Sequence, residues 1–259
     1  MKDISSYLAR LNINENIKAD NYSLFRFHHA HFYSVPFENF SMNENAASGS
    51  FSQIIADNII FNKRGGICFE FAALLAPFFS YTGFVYRTRL ARVLIPLLTP
   101  ATHQLFIISV AGEEWIFDVG FGARGPRAPL RMVDGYVHEH AFLSSKVSRH
   151  PAYGWVVSVR ENSRLNADWE DIYAFHDTET FPPDISMAYF YTLHSPESLL
   201  NIHKVASLPT ENGRISIRDT VFTEVNGLSS CSADITDNEE LSQLLSGKFG
   251  ISIHPQQRQ

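Results

Sequence analysis

The strongest constraint on the fold of this chain is a change of sequence period at Gly83. Before it, apolar residues recur at helical spacing, and after it β-branched and aromatic residues dominate. The helical spacing predicts four helices, over residues 4–11, 24–32, 51–60 and 68–83. Because helices and strands are segregated along the chain instead of alternating as βαβ units, the expected fold class is α+β.

The β-rich middle of the chain contains six stretches that read as strands. They cover residues 84–95, 103–110, 115–119, 154–160, 171–175 and 214–223, and a last helix is expected near 238–245. The second and third strands are separated by Ala111 and Gly112, a length typical of a β-hairpin. A hairpin therefore joins residues 103–110 to 115–119.

The candidate nucleophile lies in the stretch Arg64-Gly-Gly-Ile-Cys68-Phe-Glu70, directly before an apolar run. Two adjacent glycines allow a sharp turn and a close approach of backbones. A cysteine in the first turn of a helix faces unpaired N–H groups and the positive end of the helix dipole, which favour the thiolate. The competing interpretation is a buried structural cysteine after an ordinary turn.

Composition limits the kinds of partner. With 259 residues, 45% of them hydrophobic, the chain can bury a core, and its net charge of −6 argues against a general nucleic-acid binder. The N-terminus lacks the apolar region of a signal peptide, and the apolar stretches are too short to span a membrane. We therefore expect a cytoplasmic protein with no nucleic-acid or membrane partner, whose Cys68 and Cys231 are free thiols.

The hairpin register decides whether a histidine and an aspartate meet. If Ala111 and Gly112 are the turn residues, Leu105 faces Asp118, and His103 becomes a diagonal neighbour of Asp118 with backbones about 7–8 Å apart. A turn shifted by one residue would lose this contact. In the first register Cys68, His103 and Asp118 can form a nucleophilic triad, whereas a plain strand histidine is the alternative for His103.

Three stretches resemble the signatures of one family: Val35-Pro-Phe-Glu-Asn39, Arg64-Gly-Gly-Ile-Cys-Phe-Glu70 and Asp118-Val-Gly-Phe-Gly122. They are similar to motifs of the arylamine N-acetyltransferases, and the similarity covers roughly residues 4 to 220. The catalytic Cys, His and Asp of that family match Cys68, His103 and Asp118.

The resemblance implies a helical bundle over residues 1–83, a β-barrel over 84–190 and an α/β lid over 191–259, with a core related to papain-like cysteine enzymes. It implies a ping-pong enzyme of xenobiotic metabolism that moves an acetyl group from acetyl-CoA to an arylamine, arylhydrazine or N-hydroxyarylamine. No metal or permanent cofactor is expected, and the protein would be a monomer or homodimer. The resemblance also assigns an acceptor pocket to Phe37, Val93 and Phe121.

A donor site is predicted beside the triad. An acidic protein needs a local positive field to bind the phosphates of CoA. The glycine-rich stretch after Asp118 allows backbone N–H groups to converge on a phosphate, and arginines there could add charge-assisted hydrogen bonds. The predicted donor-binding residues are Thr102, Gly122, Arg124 and Arg127.

Three features depart from the family pattern. Pro77 lies inside the helix that follows the nucleophile and is expected to kink it or to end its first half. The segment from Tyr191 to Pro196 differs from the usual family sequence. The C-terminal part is also short, and since the last segment borders the active-site entrance in that family, it bears on the choice of acceptor.

Other motifs were weighed against this interpretation. Residues 120–125 match G-x-G-x-x-G, but Pro126 and Pro129 prevent the helix that a dinucleotide site requires. Two histidine pairs lack the spacing of a zinc site, namely His29 with His31 and His138 with His140. Glu38 and Arg64 are interpreted as an ion pair that braces the nucleophile loop, with a catalytic acid and an anion clamp as the alternative.

Three other functions stay open. The first is an amide synthase of the same fold, which releases a carrier-bound polyketide as a macrolactam. The second is a cysteine peptidase or transglutaminase-like enzyme, although His103 follows Cys68 by only 35 residues instead of about 130–150 as in papain-like peptidases. The third is a non-catalytic binding module, which an intact triad argues against.

Overall fold

A computed structural model describes residues 4–42, 51–163 and 167–251 of the chain. Within those residues the helices are α1 (Ile4–Arg10), α2 (Asn21–Ser34), α3 (Phe51–Ile60), α4 (Cys68–Thr82), α5 (Pro182–His194), α6 (Leu199–Ile202) and α7 (Asn238–Phe249). The described helices are all too short or too polar to cross a bilayer.

The strands form two antiparallel sheets. They are β1 (Phe37–Glu38), β2 (Val85–Val93), β3 (Ala101–Val110), β4 (Glu113–Phe117), β5 (Leu130–Arg131), β6 (Val137–His138), β7 (Leu143–His150), β8 (Gly154–Glu161), β9 (Glu170–Phe175), β10 (Val205–Thr210), β11 (Gly213–Arg218), β12 (Val221–Asn226) and β13 (Ser229–Asp234). An eight-stranded sheet has the order β5-β4-β3-β2-β9-β8-β7-β6, and β5 approaches β7 so that the barrel is nearly closed. The smaller sheet has the order β1-β10-β11-β12-β13. The fold is α+β, as predicted.

Aromatic side chains join the N-terminal helices to one face of the barrel. Phe27 of α2 stacks on Phe78 of α4 with ring centroids 4.1 Å apart. The same core includes Phe106 of β3 and Phe117 of β4, both almost fully buried. Helix α4 therefore packs directly on the hairpin. Pro77 does not end this helix, which continues through it to Thr82.

The β3–β4 hairpin has the predicted register. Val110 faces Glu113 and Phe106 faces Phe117. The turn residues Ala111 and Gly112 have φ angles of 53° and 77°, as a type I′ turn requires. Continued by one residue, this register sets Leu105 opposite Asp118.

The smaller sheet is tied to the N-terminal part of the chain. Its edge strand β1 comes from the segment before the nucleophile and pairs with β10. Asn39, which is fully buried, donates to the carbonyls of Leu200 and His203, both at 2.7 Å, and accepts from the N–H of Val205 at 2.8 Å. Through these three hydrogen bonds, the Asn39 side chain fixes the backbone segment that leads into β10.

The predicted elements differ from the structure in two main ways. Residues 214–223 form parts of two strands, β11 and β12, because the chain turns at Asp219, whose φ is 54°. Helix α5 and strands β7, β10 and β13 were not predicted. The division into three domains stays a prediction: the boundary at 83 falls just after α4, whereas the boundary at 190 falls inside α5.

Candidate active site

Cys68 is the first residue of α4. The preceding Ile67 has extended backbone angles, and its N–H donates to the Glu70 carboxylate at 2.9 Å, which begins the helix at this point. The Cys68 side chain is only 5% exposed, and its thiol lies 3.9 Å from the carbonyl of Thr102. The N–H groups of the first helical turn have no partner within the helix, and Cys68 lies in that turn.

The loop before Cys68 is braced by a buried carboxylate. Glu38 is 1% exposed and forms an ion pair with Arg64, whose Nε lies 2.9 Å from Oε1. The same carboxylate accepts the N–H groups of Gly65 at 3.2 Å and Phe40 at 2.7 Å. A Cβ at Gly65 would lie 1.9 Å from the Pro36 carbonyl, so only glycine fits there. These contacts make Glu38 and Arg64 a structural ion pair.

His103 and Asp118 form the predicted contact. The imidazole Nε2 and the carboxylate Oδ2 are 2.9 Å apart, and both side chains are buried. The second carboxylate oxygen accepts the N–H of Gly120 at 2.8 Å. Since Nε2 is engaged by Asp118, Nδ1 is the ring nitrogen left to exchange a proton with Cys68.

The two buried groups stabilise each other's charge. Burial lowers the pKa of His103, yet the charge of Asp118 and its hydrogen bond, together with Cys68, raise that pKa to about 10. Burial raises the pKa of Asp118, but the attraction of His103 and the hydrogen bonds to its carboxylate leave that pKa below its usual value. The geometry therefore favours an imidazolium beside a carboxylate.

Aromatic rings enclose the imidazole. The centroid of His103 lies 5.4 Å from that of Phe121 and 5.1 Å from that of Tyr173. Both neighbours are large, and Tyr173 is fully buried, so the two rings shield the imidazole from solvent.

A cavity of about 410 Å³ opens onto the triad residues Cys68 and His103. Five further residues predicted to bind substrates line it: Phe37, Val93, Thr102, Phe121 and Arg124. Two other predicted residues, Gly122 and Arg127, are not among the described residues that line the cavity. Gly122 instead packs on the smaller sheet, where a Cβ would lie 2.9 Å from the Ser207 hydroxyl.

Arg127 is a structural residue in this fold. It is 3% exposed, and its guanidinium donates to the carbonyls of Ala123 and Gly213, each at 2.9 Å. Burial lowers its pKa to about 10. A group held in this way cannot turn to a phosphate, which argues against the predicted donor contact.

The glycine-rich stretch also uses its N–H groups internally. The N–H of Gly120 donates to Asp118, and that of Gly125 donates to the Gly122 carbonyl at 2.8 Å. These two N–H groups therefore do not converge on a phosphate, contrary to expectation.

The smaller sheet contributes a polar wall to the cavity, which was not predicted from the sequence. Arg214, Ser216 and Arg218 of β11 line it, and so does His203. Strand β11 alternates these polar residues with the buried Ile215 and Ile217. Such alternation puts the polar side chains on one face, so the signal was present in the sequence.

The described residues contain no group of three or more His, Cys, Asp or Glu side chains arranged to hold a metal ion. Of the two histidine pairs, His31 is buried and its Nδ1 lies 2.5 Å from the Tyr7 hydroxyl. His29 stacks on Tyr33, and the Nδ1 of His140 accepts the Phe142 N–H at 3.1 Å.

A helical bundle and a nearly closed barrel that bring Cys, His and Asp together define the papain-like class of fold. Residues 22–258 match the model of a family described as N-acetyltransferase. The chain belongs to the arylamine N-acetyltransferase family and is an acyltransferase.

Arylamine N-acetyltransferases from several organisms match nearly the whole chain in sequence or in structure. It is 26% identical over 256 residues to the arylamine N-acetyltransferase of Escherichia coli (strain K12), a match that covers 96% of this chain and 89% of that protein. The solved arylamine N-acetyltransferase of Salmonella typhimurium superposes with a TM-score of 0.86 at 25% identity, covering 98% and 93% of the two chains. The Mycobacterium marinum enzyme, solved in complex with CoA, shares the fold at 21% identity, with a TM-score of 0.84 over 96% of this chain and 93% of that one.

Proposed function

We propose that this enzyme transfers an acetyl group from acetyl-CoA to an arylamine, arylhydrazine or N-hydroxyarylamine through a thioester on Cys68. The observation that carries this proposal is the juxtaposition of three features: a cysteine at the start of α4, a buried His103–Asp118 pair, and a cavity that opens onto both. Membership of the family supports acetyl transfer as the reaction.

The reaction takes place in two halves. In the first, the Cys68 thiolate attacks the carbonyl carbon of the thioester, the bond to the CoA sulfur breaks, and the His103 imidazolium gives its proton to that sulfur. In the second, the amine nitrogen attacks the acetyl carbon, His103 takes the proton of the amine, and the bond to the Cys68 sulfur breaks. The enzyme returns to its first state, because one proton is given and one is taken.

Asp118 keeps the imidazole in the useful orientation. Its Oδ2 holds Nε2, so the other ring nitrogen is directed to the sulfur, and its charge favours the protonated ring that the first half-reaction needs. The negative oxygen formed on the carbonyl carbon would lie against the unpaired N–H groups at the start of α4.

The cavity wall supports two kinds of substrate. Phe37, Val93 and Phe121 offer an apolar surface for an aromatic acceptor. The same cavity is also lined by Arg124, Arg214 and Arg218. Arg124 forms an ion pair with Glu170 at the surface, and Arg214 lies 3.6 Å from the Glu161 carboxylate. These cations suit the phosphates of a CoA donor. The Mycobacterium marinum relative, which holds CoA, agrees with that choice of donor.

The test is a single acetylation. The protein is incubated with acetyl-CoA without an acceptor, and intact mass followed by peptide mapping locates the adduct. An acetyl group on Cys68 that an added arylamine removes supports the proposal. No adduct, together with activity on a carrier-bound thioester or on a peptide, would favour an amide synthase or a cysteine peptidase instead.

A further inference from the structure

We propose that His28 is a positioning residue for the triad, because its imidazole holds the backbone carbonyl of Asp118. The inference rests on the proposed role of Asp118 in orienting His103. His28 lies on α2, ninety residues earlier in the chain, and its Nε2 is 2.9 Å from that carbonyl oxygen. Both residues are buried, and His28 is 0% exposed.

The hairpin register explains why this carbonyl needs a partner. In a two-residue hairpin the closing pair, Val110 and Glu113, is hydrogen-bonded, and bonded and non-bonded pairs then alternate. Phe106 and Phe117 form the last bonded pair. The next position, Asp118, is therefore non-bonded, so its N–H and C=O point away from β3.

The strand on the other side of β4 ends too early to reach Asp118. In β5, Leu130 pairs with Ile116, so Ala128 would lie opposite Asp118 if the strand were longer. Strand β5 begins only at Leu130, so no residue of this strand pairs with Asp118. The imidazole of His28 thus occupies the place of a missing strand residue.

The imidazole is neutral and has a defined tautomer. Only a ring nitrogen that carries a proton can serve a carbonyl, so the proton lies on Nε2. The other nitrogen, Nδ1, has no hydrogen-bond partner among the described residues. Burial lowers the pKa of His28 to about 4, in agreement with a neutral ring. Phe117 and Phe32 hold the ring from two sides, with centroids 5.1 and 5.5 Å away.

The anchored peptide determines the position of two parts of the site. On one side it carries the carboxylate that binds His103. On the other it leads to Gly120, which packs so closely on Cys68 that a Cβ would lie 2.7 Å from the cysteine Cβ. If the carbonyl lost its donor, the peptide could rotate, and both the carboxylate and the wall beside the sulfur would move.

The test compares three variants of the full-length protein. His28→Phe keeps a ring of similar size but cannot donate to the carbonyl, whereas His28→Gln presents an amide N–H near the position of Nε2. His31→Phe is the matched control, because His31 lies one turn further along α2, is equally buried and bonds to Tyr7 instead. The readouts are the rate of Cys68 acetylation by acetyl-CoA, the ratio of Cys68 to Cys231 alkylation by iodoacetamide at pH 6.5, and the melting temperature.

We expect His28→Phe to lower the acetylation rate by about tenfold or more, since small displacements of catalytic groups have effects of that size. It should also lower the alkylation ratio. His28→Gln should restore most of both values, and His31→Phe should lower only the melting temperature. If His28→Phe fails to fold, His28→Asn gives the same comparison, because its shorter amide does not reach the carbonyl.

A folded His28→Phe or His28→Asn protein with the wild-type rate and alkylation ratio would overturn the proposal. So would a His31→Phe protein that loses both, because the effect would then belong to any buried histidine of α2. Failure of the proposed function gives a different result: the wild-type protein itself would take no acetyl group, while the alkylation ratio would still report on His28.

Discussion

The charged His103–Asp118 pair lies in the protein interior, where burial makes charge energetically unfavourable. Cys68, His103 and Asp118 are each no more than 5% exposed. Burial of an unpaired ion costs several kcal/mol, so such groups survive only when hydrogen bonds and opposite charges offset the loss of water. Asp118 receives both from His103 and Gly120. Apolar side chains could fill the same space without the cost of burying charge. The presence of a buried charged pair is therefore evidence of a chemical role.

In the proposed mechanism the sulfur of Cys68 is the atom on which transfer depends. We expect Cys68→Ser to fold normally and to lose acetyl transfer by about a thousandfold or more, because a hydroxyl is a much weaker nucleophile than a thiolate. Cys231→Ser is the control, since that thiol is free and exposed on β13. Steady-state rates with acetyl-CoA and an arylamine measure both. A Cys231→Ser protein without activity would refute the assignment of the nucleophile.

The His103–Asp118 pair should give the stability of the fold a characteristic pH dependence. The pKa of His103 is raised from 6.5 to about 10 in the folded protein, so its charge stabilises the fold fully below pH 6.5 and loses that effect as the pH rises through 10. Asp118→Asn removes the attraction. Denaturant unfolding at several pH values should show the largest difference between the two proteins near pH 6 and a shrinking one toward pH 10.

At the level of elements, the start of α4 packs against the segment after β4 at Cys68 and Gly120, and the contact leaves no room for a methyl group on Gly120. A Cβ on Gly120 would lie 2.7 Å from the Cβ and 2.9 Å from the Cα of Cys68, so the backbone must shift. Gly120→Ala should therefore reduce transfer sharply and lower the melting temperature. Gly247→Ala is the matched control: a Cβ there meets nothing within 4 Å, and alanine inside α7 should stabilise the protein by about 1 kcal/mol. Equal transfer rates in the two variants would rule out the close contact.

The hairpin turn offers a gain in stability. Ala111 has a φ of 53°, a conformation that favours glycine, asparagine or aspartate. Ala111→Asn creates the preferred pair Asn-Gly with Gly112 and should raise the free energy of unfolding by about 0.5–1 kcal/mol. Thermal unfolding measures the gain. Acetyl transfer should be unchanged, because the turn lies at the far end of β3 from His103.

The same hairpin shows what the sequence can predict. Strand residues alternate with a period of two and the turn has two residues, so the contact between His103 and Asp118 followed from counting. Local sequence patterns did not predict the elements whose secondary structure depends on tertiary contacts. Strand β13 is exposed throughout and mostly polar, so no alternation of apolar and polar residues marks it. Helix α5 begins with Pro182 and Pro183, which suit its first turn but read as a loop in isolation.

The donor site also lay beyond sequence reasoning. Arg127 and Arg124 are three residues apart in one loop, yet the first is buried under the smaller sheet and the second lines the cavity. Only the packing of β11 against that loop separates their roles, and Arg127 bonds to the carbonyl of Gly213 there. The contribution of Arg214 and Arg218 depends on the same packing.

At the scale of the whole molecule, a net charge of −6 repels an anionic donor, so the arginines of the cavity must act locally. We expect the double substitution Arg124→Ala and Arg218→Ala to raise the KM for acetyl-CoA several-fold and to weaken its dependence on ionic strength. The KM for an uncharged arylamine should hardly change, because in the proposed mechanism the acceptor enters after CoA has left.

Arg131→Ala, compared with Arg124→Ala and Arg218→Ala made singly, controls for the loss of one positive charge, because the exposed Arg131 of β5 pairs with Glu113 and does not line the cavity. Initial rates over a salt series give both constants. The same change in the control and in each single variant would show that overall charge is responsible, whereas no change in any variant would mean that the phosphates bind elsewhere.

The pairing of β1 with β10 has a consequence for the order in which this enzyme is made. Phe37 is paired with Ser207, a residue synthesised 170 positions later. Cys68, His103 and Asp118 therefore leave the ribosome before β10, the strand that pairs with β1, has been made. The polar wall of the cavity does not yet exist at that stage. Domains fold as their residues emerge from the ribosome. The barrel can therefore form around the triad before the smaller sheet has completed the wall of the cavity. The nascent chain carries Cys68 without a completed cavity beside it until Arg218 has left the exit tunnel.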